Sequence, residues 1–196
     1  MKQLITSIFL AMLLTTYSQQ EVQLPYAQIP DHPQTYTAET VAARMVDGLG
    51  FRYYWATVGL RPEDLTYKPG SDARTSFETI QHIYSLVEVL HNAVHGVPTE
   101  RSGEAQEMSF DEMRAQTLIM IKEASDILRN AESGTLENAP MVFKRGDNTT
   151  EFPFWNLING PIEDAVWHVG QVVSMRRGSG NPFNSKVNVL TGSVRQ

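Results

Sequence analysis

Apolar side chains recur at helical spacing in four stretches of the chain, separated by segments rich in glycine, proline and polar residues. The first stretch, residues 37–58, repeats its apolar positions close to every 3.6 residues and ends before Gly59. The others cover residues 75–95, 109–132 and 161–177. Because amphipathic helices bury their apolar faces against one another, the pattern predicts an all-α fold, a four-helix bundle.

Three of these helices have recognisable starting residues. Thr75 with Glu78, and Ser109 with Glu112, have the spacing of a capping box, in which the two side chains satisfy free N–H groups at a helix start. Pro161 is predicted as the first residue of helix four, since a first helical residue needs no N–H partner.

The connecting segments show no strong alternation of apolar and polar residues, so no strand is predicted. Residues 151–161 are expected to form an aromatic-rich turn packed on the bundle. The tail, residues 185–196, is expected to lie extended along the surface. Residues 19–36 carry three prolines and predict an extended lead-in without its own core, which places the bundle domain at residues 37–196.

The N-terminal residues 1–18 have the pattern of a secretory signal peptide. Lys2 precedes an apolar run from Leu4 to Leu14, which is too short for the roughly 20 residues that span a bilayer, and small residues follow it. We therefore expect cleavage after Ser18 and an exported protein, periplasmic or secreted.

Charge and cysteine content narrow the possible partners. The formal net charge of -6 and the lack of a basic cluster argue against nucleic acid, and no membrane association is expected after signal cleavage. The chain has no cysteine, so a metal ion could be bound only by His, Asp or Glu. A small molecule is the expected partner, and a homodimer formed through an apolar face remains open.

Helix four carries the main candidate site. At 100° per residue, Asp164, His168 and Gln171 form one stripe that is flanked by apolar residues. A carboxylate there is costly to bury unless it is paired, hydrogen-bonded or bound to a cation. His82 lies within the apolar arc of helix two and could complete a three-ligand metal site with an open position, the pattern of a catalytic metal. A neutral network in which Asp164 only orients His168 is the alternative.

Several other residues are candidates for weaker reasons. His91 and His95 have the i, i+4 spacing of many zinc ligands, but they fall on the face expected to be wet. Glu163 could face the ion in place of Asp164, but it lies about 100° from the stripe on the more polar side and fits a first-turn acid better. Arg176 and Arg177 fit last-turn cations; either could bind an anionic substrate, but a solvated face is favoured. Four apolar side chains could form a pocket or simply belong to the core: Phe154, Trp155, Trp167 and Met175.

With these residues in view, the chain resembles the DinB-like, or YfiT-like, superfamily of metalloenzymes. The resemblance rests on FETIQHIYSL, residues 77–86, and on GPIEDAVWHVGQVVSMRRGSGNP, residues 160–182, with support from YYWATVGLRPEDLTYKPG, residues 53–70. It implies a bundle in up-down-down-up order, with a long connection between helices two and three.

The resemblance also implies a metal triad of one histidine on helix two and a His-x-x-x-His pair on helix four. His82 and His168 match two of these positions, and Asp164 stands where a histidine is usual. The implied cofactor is a divalent ion, zinc or nickel first, with manganese or iron also compatible with a carboxylate. The expected function is metal-dependent hydrolysis. A non-catalytic metal or small-ligand binder is the alternative, and transfer of a low-molecular-weight thiol ranks below hydrolysis.

Overall fold

The computed structural model describes residues 23–100 and 107–196, and most of this part of the chain is helical. The predicted signal peptide lies outside the described residues. The helices are α1 Ala38–Thr57, α2 Pro62–Thr66, α3 Ser76–Val94, α4 Phe110–Asn130, α5 Phe154–Leu157 and α6 Glu163–Gly178. The four long helices correspond to the four amphipathic stretches of the sequence, so their prediction is confirmed. No described helix is long and apolar enough to cross a membrane.

The long helices enclose one core. Helix α1 packs against α4 and α6, and α3 packs against the same two helices. Side chains from all four are fully buried where the helices meet. These core residues include Leu49, Tyr53, Ile80, Ile83, Leu118, Ile121, Ala165 and Val172.

Both predicted capping boxes are present. The Thr75 hydroxyl accepts from the N–H of Glu78 at 3.1 Å, and the Glu78 carboxylate accepts from the N–H of Thr75 at 2.7 Å. Ser109 and Glu112 make the same reciprocal pair at the start of α4. These bonds fix the first turn of α3, the helix that carries His82.

The last long helix, α6, was predicted to start at Pro161, but helical structure begins earlier in the chain. A wide, π-helical turn, Ile158–Ile162, joins α5 directly to α6, and Pro161 lies inside it rather than at a helix start. The N–H of Glu163 reaches the carbonyl of Ile158, five residues back. Because proline has no N–H and its ring crowds an ordinary helical turn, the helix widens here instead of beginning.

The expectation of no strands was wrong. Strands β1 Thr99–Glu100, β2 Met141–Arg145 and β3 Asn148–Phe152 form a sheet in which β1 and β2 are parallel and β2 and β3 are antiparallel. Every residue of β3 is exposed, which explains why no apolar alternation marks it. The available signal was the two-residue turn Gly146-Asp147, in which Gly146 has a φ of 58°.

The tail also folds back on itself. Strands β4 Val187–Asn188 and β5 Ser193–Val194 form a short antiparallel hairpin. The N–H of Ile29 in the lead-in donates to the carbonyl of Gly192 at 2.9 Å, so the two ends of the described chain meet.

The lead-in is attached to the bundle through Tyr26. Its ring is 5% exposed and lies so close to Gly50 that a Cβ there would be 2.5 Å from the ring. The Tyr26 hydroxyl donates to buried Asp47 at 3.1 Å, and the same carboxylate accepts from Ser125 at 2.6 Å and from Arg129. The lead-in therefore covers one side of α1.

Arg176 does not lie on a solvated face as predicted. It is 5% exposed, and its Nη1 donates to the carbonyls of Trp55, Ala56 and Val58 at 3.0 to 3.2 Å. The last carbonyls of a helix have no partner within it, and this guanidinium supplies one for α1. Arg177 is exposed, as expected.

Candidate metal centre

The three predicted ligands come together between α3 and α6. His82 lies in the second turn of α3, and Asp164 and His168 lie one turn apart at the start of α6. One potential ligand atom from each side chain can be chosen so that all three lie within 4.8 Å of one another. Among the described residues, this is the only group of three or more such side chains.

Both imidazoles face the same carboxylate. His82 Nε2 is 3.5 Å from Asp164 Oδ2, and His168 Nε2 is 3.4 Å from Asp164 Oδ1. The rings of His82 and His168 meet edge to face, with centroids 4.6 Å apart. These nitrogen-to-oxygen separations exceed the usual 2.7–3.2 Å of a hydrogen bond. The three side chains therefore point towards one another without forming short hydrogen bonds.

Gln171 determines which nitrogen of His168 is free. His168 Nδ1 and Gln171 Oε1 are 2.7 Å apart, and a carbonyl oxygen can only accept. In the neutral ring the proton therefore lies on Nδ1, and Nε2, the nitrogen with the lone pair, faces Asp164. Metal-binding histidines commonly donate from their second nitrogen in this way, which holds both the tautomer and the ring orientation.

Burial lowers the pKa of His82, and the neighbouring His168 and Arg74 lower it further, while Asp164 opposes the shift. The lowered pKa keeps the imidazole neutral at neutral pH. Only a neutral imidazole has a lone pair for a metal ion, so the electrostatics of the site favour the form that can act as a ligand.

The donor set fits a divalent metal ion. Two imidazole nitrogens and one carboxylate are competent ligands for zinc, nickel, manganese or iron, and three protein ligands leave a position for water or substrate. The side chains of His82, Asp164 and His168 retain 32%, 40% and 15% of their accessibility. A small molecule can therefore approach the site from solvent.

A cleft of about 580 Å³ adjoins the site at His168. Its walls come from the segment between α2 and α3, from the first turn of α3, and from α6. They are formed by Tyr67, Pro69, Ala73, Arg74, Thr79, Trp167, His168, Gly170, Gln171, Ser174 and Met175. This volume lies within the range of pockets that bind small organic molecules.

The other candidate ligands lie elsewhere. His91 Nε2 pairs with Glu123 at 2.8 Å, and His95 Nδ1 donates to the carbonyl of His91 at 2.7 Å. These contacts agree with the interpretation of a surface pair. Glu163 is exposed in the first turn of α6 and is not part of the triad.

The four apolar candidates for a pocket wall or the core do not all share one fate. Trp167 and Met175 line the cleft, but Phe154 is 5% exposed within the core and Trp155 is exposed outside the cleft. Arg74 was not predicted from the sequence, because its position depends on the loop before α3, which carries no periodic signal. The role of Gln171 could have been inferred from its spacing of three residues from His168, since such residues are neighbours on a helix.

The structure resembles the crystal structure of a DinB-like protein, YjoA, from Bacillus subtilis. The TM-score is 0.51 with 15% sequence identity, and the match covers 70% of this chain and 92% of that chain. No family model and no curated protein matches the sequence. The resemblance predicted from the sequence is thus confirmed at the level of the fold, which is DinB-like.

Proposed function

We propose that this protein is a metal-dependent hydrolase in which His82, Asp164 and His168 hold a divalent cation beside the cleft. The observation that carries the proposal is the convergence of these three side chains, which lie on two helices and are separated by some 80 residues of sequence. When bound, such a cation supplies a Lewis acid that can activate water near neutral pH.

The protein's own groups prepare the site. Gln171 holds His168 in the tautomer that leaves Nε2 free, and the lowered pKa of His82 keeps that ring neutral. Asp164 brings one negative charge, which reduces the net charge of a bound divalent ion and favours harder metals than three histidines would. Zinc or nickel is proposed first, and manganese or iron follows.

The test of catalysis is a screen of hydrolysable esters, amides and phosphoesters with the metal-loaded mature chain. Turnover should require added metal and should be absent from the Asp164→Ala variant, purified and metal-loaded in the same way. Stoichiometric metal without turnover of any of these substrates would instead support a non-catalytic metal-binding protein.

We also propose the up-down-down-up order of the long helices. Contacts between α1 and α4 support opposite directions, since Ser125 meets Asp47 whereas Arg114 meets Thr57. For α3 and α4, Tyr84 meets Gln116 and His91 meets Glu123, which supports a shared direction.

Helix α6 completes the proposed order. Thr79, early in α3, lines the cleft with Met175, late in α6, which supports opposite directions for these helices. A cysteine pair introduced by His91→Cys and Glu123→Cys tests the parallel α3 and α4, because the native chain has no cysteine to compete. Failure of this pair to crosslink under oxidation would contradict the order.

Export is proposed from residues 1–18. The expected mature N-terminus is Gln19, and mass spectrometry of the protein recovered from its producing cells tests this position. An intact N-terminus in cytosolic protein would contradict export.

A further inference from the structure

The charge in the cleft belongs to one residue. Among the described residues that line it, Arg74 alone carries a permanent charge. The described ion pairs of arginine are those of Arg61 and Arg129, and Arg74 takes part in none of them. The nearby carboxylate of Glu78 is engaged in capping α3 through Thr75. The Arg74 guanidinium is therefore free to meet a ligand.

The other walls of the cleft suit a ligand that has an apolar body and a polar end. Trp167 is 72% exposed, unusual for so large an apolar side chain, and it forms a wall with Tyr67 and Met175. Tyr67 is itself packed so tightly against Gly178 that a Cβ there would be 2.4 Å from the hydroxyl. Tyr67 and the buried Met175 are therefore held in place before any ligand arrives, and Trp167 projects beside them into solvent.

Gln171, on α6, supplies a second hydrogen-bond donor to the cleft. The Gln171 carbonyl oxygen is used by His168, and the amide nitrogen of the same side chain still offers two N–H groups. Arg74 and Gln171 thus present donors, while no carboxylate side chain lines this cleft in the part of the chain that the structure describes.

We propose that the cleft binds a small organic anion, with Arg74 holding its carboxylate or phosphate group and the wall of Tyr67, Trp167 and Met175 packing against its apolar body. The planar guanidinium matches both oxyanions with two parallel hydrogen bonds. Because the whole chain carries a net charge of -6, general attraction of anions is weak, and binding depends on this local cation.

This inference names the substrate class of the proposed hydrolase and so rests on that function, but anion binding can be measured separately. The probes are benzoate, phenyl phosphate and neutral benzyl alcohol. Each is titrated into metal-free and zinc-loaded protein while tryptophan fluorescence is followed. Because the chain has three tryptophans, the variant Trp167→Phe shows how much of the signal comes from Trp167.

Arg74→Gln should weaken binding of benzoate or phenyl phosphate about tenfold or more, as expected for loss of a charge-assisted hydrogen bond. Benzyl alcohol should bind Arg74→Gln and wild type equally. Arg177→Gln removes an exposed arginine outside the cleft and should leave all affinities unchanged. Arg74→Lys should fall between wild type and Arg74→Gln, because it keeps the charge but loses the planar fork.

The relative affinity for the two anions distinguishes a carboxylate substrate from a phosphate substrate. Equal binding by Arg74→Gln and wild type would overturn the inference, as would wild-type protein that binds neither anion at millimolar concentration. Loss of zinc from Arg74→Gln would also overturn it, since Arg74 would then be supporting the triad. Wild type that binds anions through Arg74 but no metal would leave the anion site standing and remove the proposed hydrolase.

Discussion

His168 donates from Nδ1 to the side-chain oxygen of Gln171 at 2.7 Å, and its Nε2 is thereby left to face Asp164 at 3.4 Å. The bond lies within one turn of α6, so the backbone of that helix sets the orientation of the ring. A ligand held in this way needs little rearrangement on metal binding.

Gln171→Leu keeps the approximate size of the side chain and removes the acceptor. We expect metal affinity to fall about 10- to 100-fold, the usual effect of losing a group that orients a ligand. Ser174→Ala is the matched control, because Ser174 lines the same cleft but its hydroxyl donates to the carbonyl of Gly170. Competition titration with a chelator measures both variants, and equal affinities for Gln171→Leu and wild type would contradict the role of this bond.

Substitution of Asp164 tests whether its carboxylate binds the metal ion or only pairs with the two histidines. Asp164→Ala should lose more affinity than Gln171→Leu, because it removes one of three ligands. Asp164→His should retain metal and shift preference from manganese towards zinc or nickel, since imidazole is the softer donor. Affinities for the three ions measured side by side test this order. Full metal retention by Asp164→Ala would show that the carboxylate is not a ligand.

Two glycines within helices should respond oppositely to alanine. At Gly50 a Cβ would meet the Tyr26 ring, so Gly50→Ala should destabilise the fold by about 1–3 kcal/mol. At Gly170 no heavy atom lies within 4 Å of the added Cβ, so Gly170→Ala should stabilise by roughly 0.5–1 kcal/mol. Urea unfolding measures both. Introducing Tyr26→Ala should remove most of the penalty at Gly50, and a penalty that persists would contradict the clash.

Acid stability should depend on Asp64, which is fully buried. Hydrogen bonds from Arg61 hold the pKa of this carboxyl well below its usual range, against the opposing effect of burial. A group whose pKa is lower when folded stabilises above its unfolded pKa, about 3.9, and this contribution is lost as pH falls through the folded pKa. Stability should therefore decline below about pH 4.

Asp64→Asn should cost about 1.5–3 kcal/mol at pH 7 and should flatten this acid decline. Glu63→Gln is the control, because its pair with Arg61 is exposed at the surface and contributes little. Unfolding free energies at pH 7 and pH 3 measure the difference. A decline that is as steep in Asp64→Asn as in wild type would assign acid sensitivity to another group.

The helices were predictable because their signals are local. Capping boxes such as Thr75 with Glu78 act over three residues, and apolar periodicity marks the buried face of each long helix. Strand β3 was not predictable, since all its residues are exposed and it is held by pairing with β2. Arg176 was misplaced because its partners, carbonyls at the end of α1, lie about 120 residues away.

The candidate site was also predictable only in part. Asp164 and His168 share one helix face by spacing alone, and the apolar surroundings of His82 indicated that it faces inward. The distance between the helices, the pKa shift of His82 and the cleft at Arg74 depend on tertiary packing, so no local pattern contained them.

If His82, Asp164 and His168 hold a metal ion, the purified protein should contain it, and its metal content can be measured. The mature chain, purified without an affinity tag, is analysed by plasma mass spectrometry as wild type, His82→Ala and the surface control His91→Ala. We expect near-stoichiometric metal in wild type and His91→Ala, and its loss from His82→Ala. Wild type without metal after reloading with zinc, nickel and manganese, or His82→Ala with its metal intact, would contradict it.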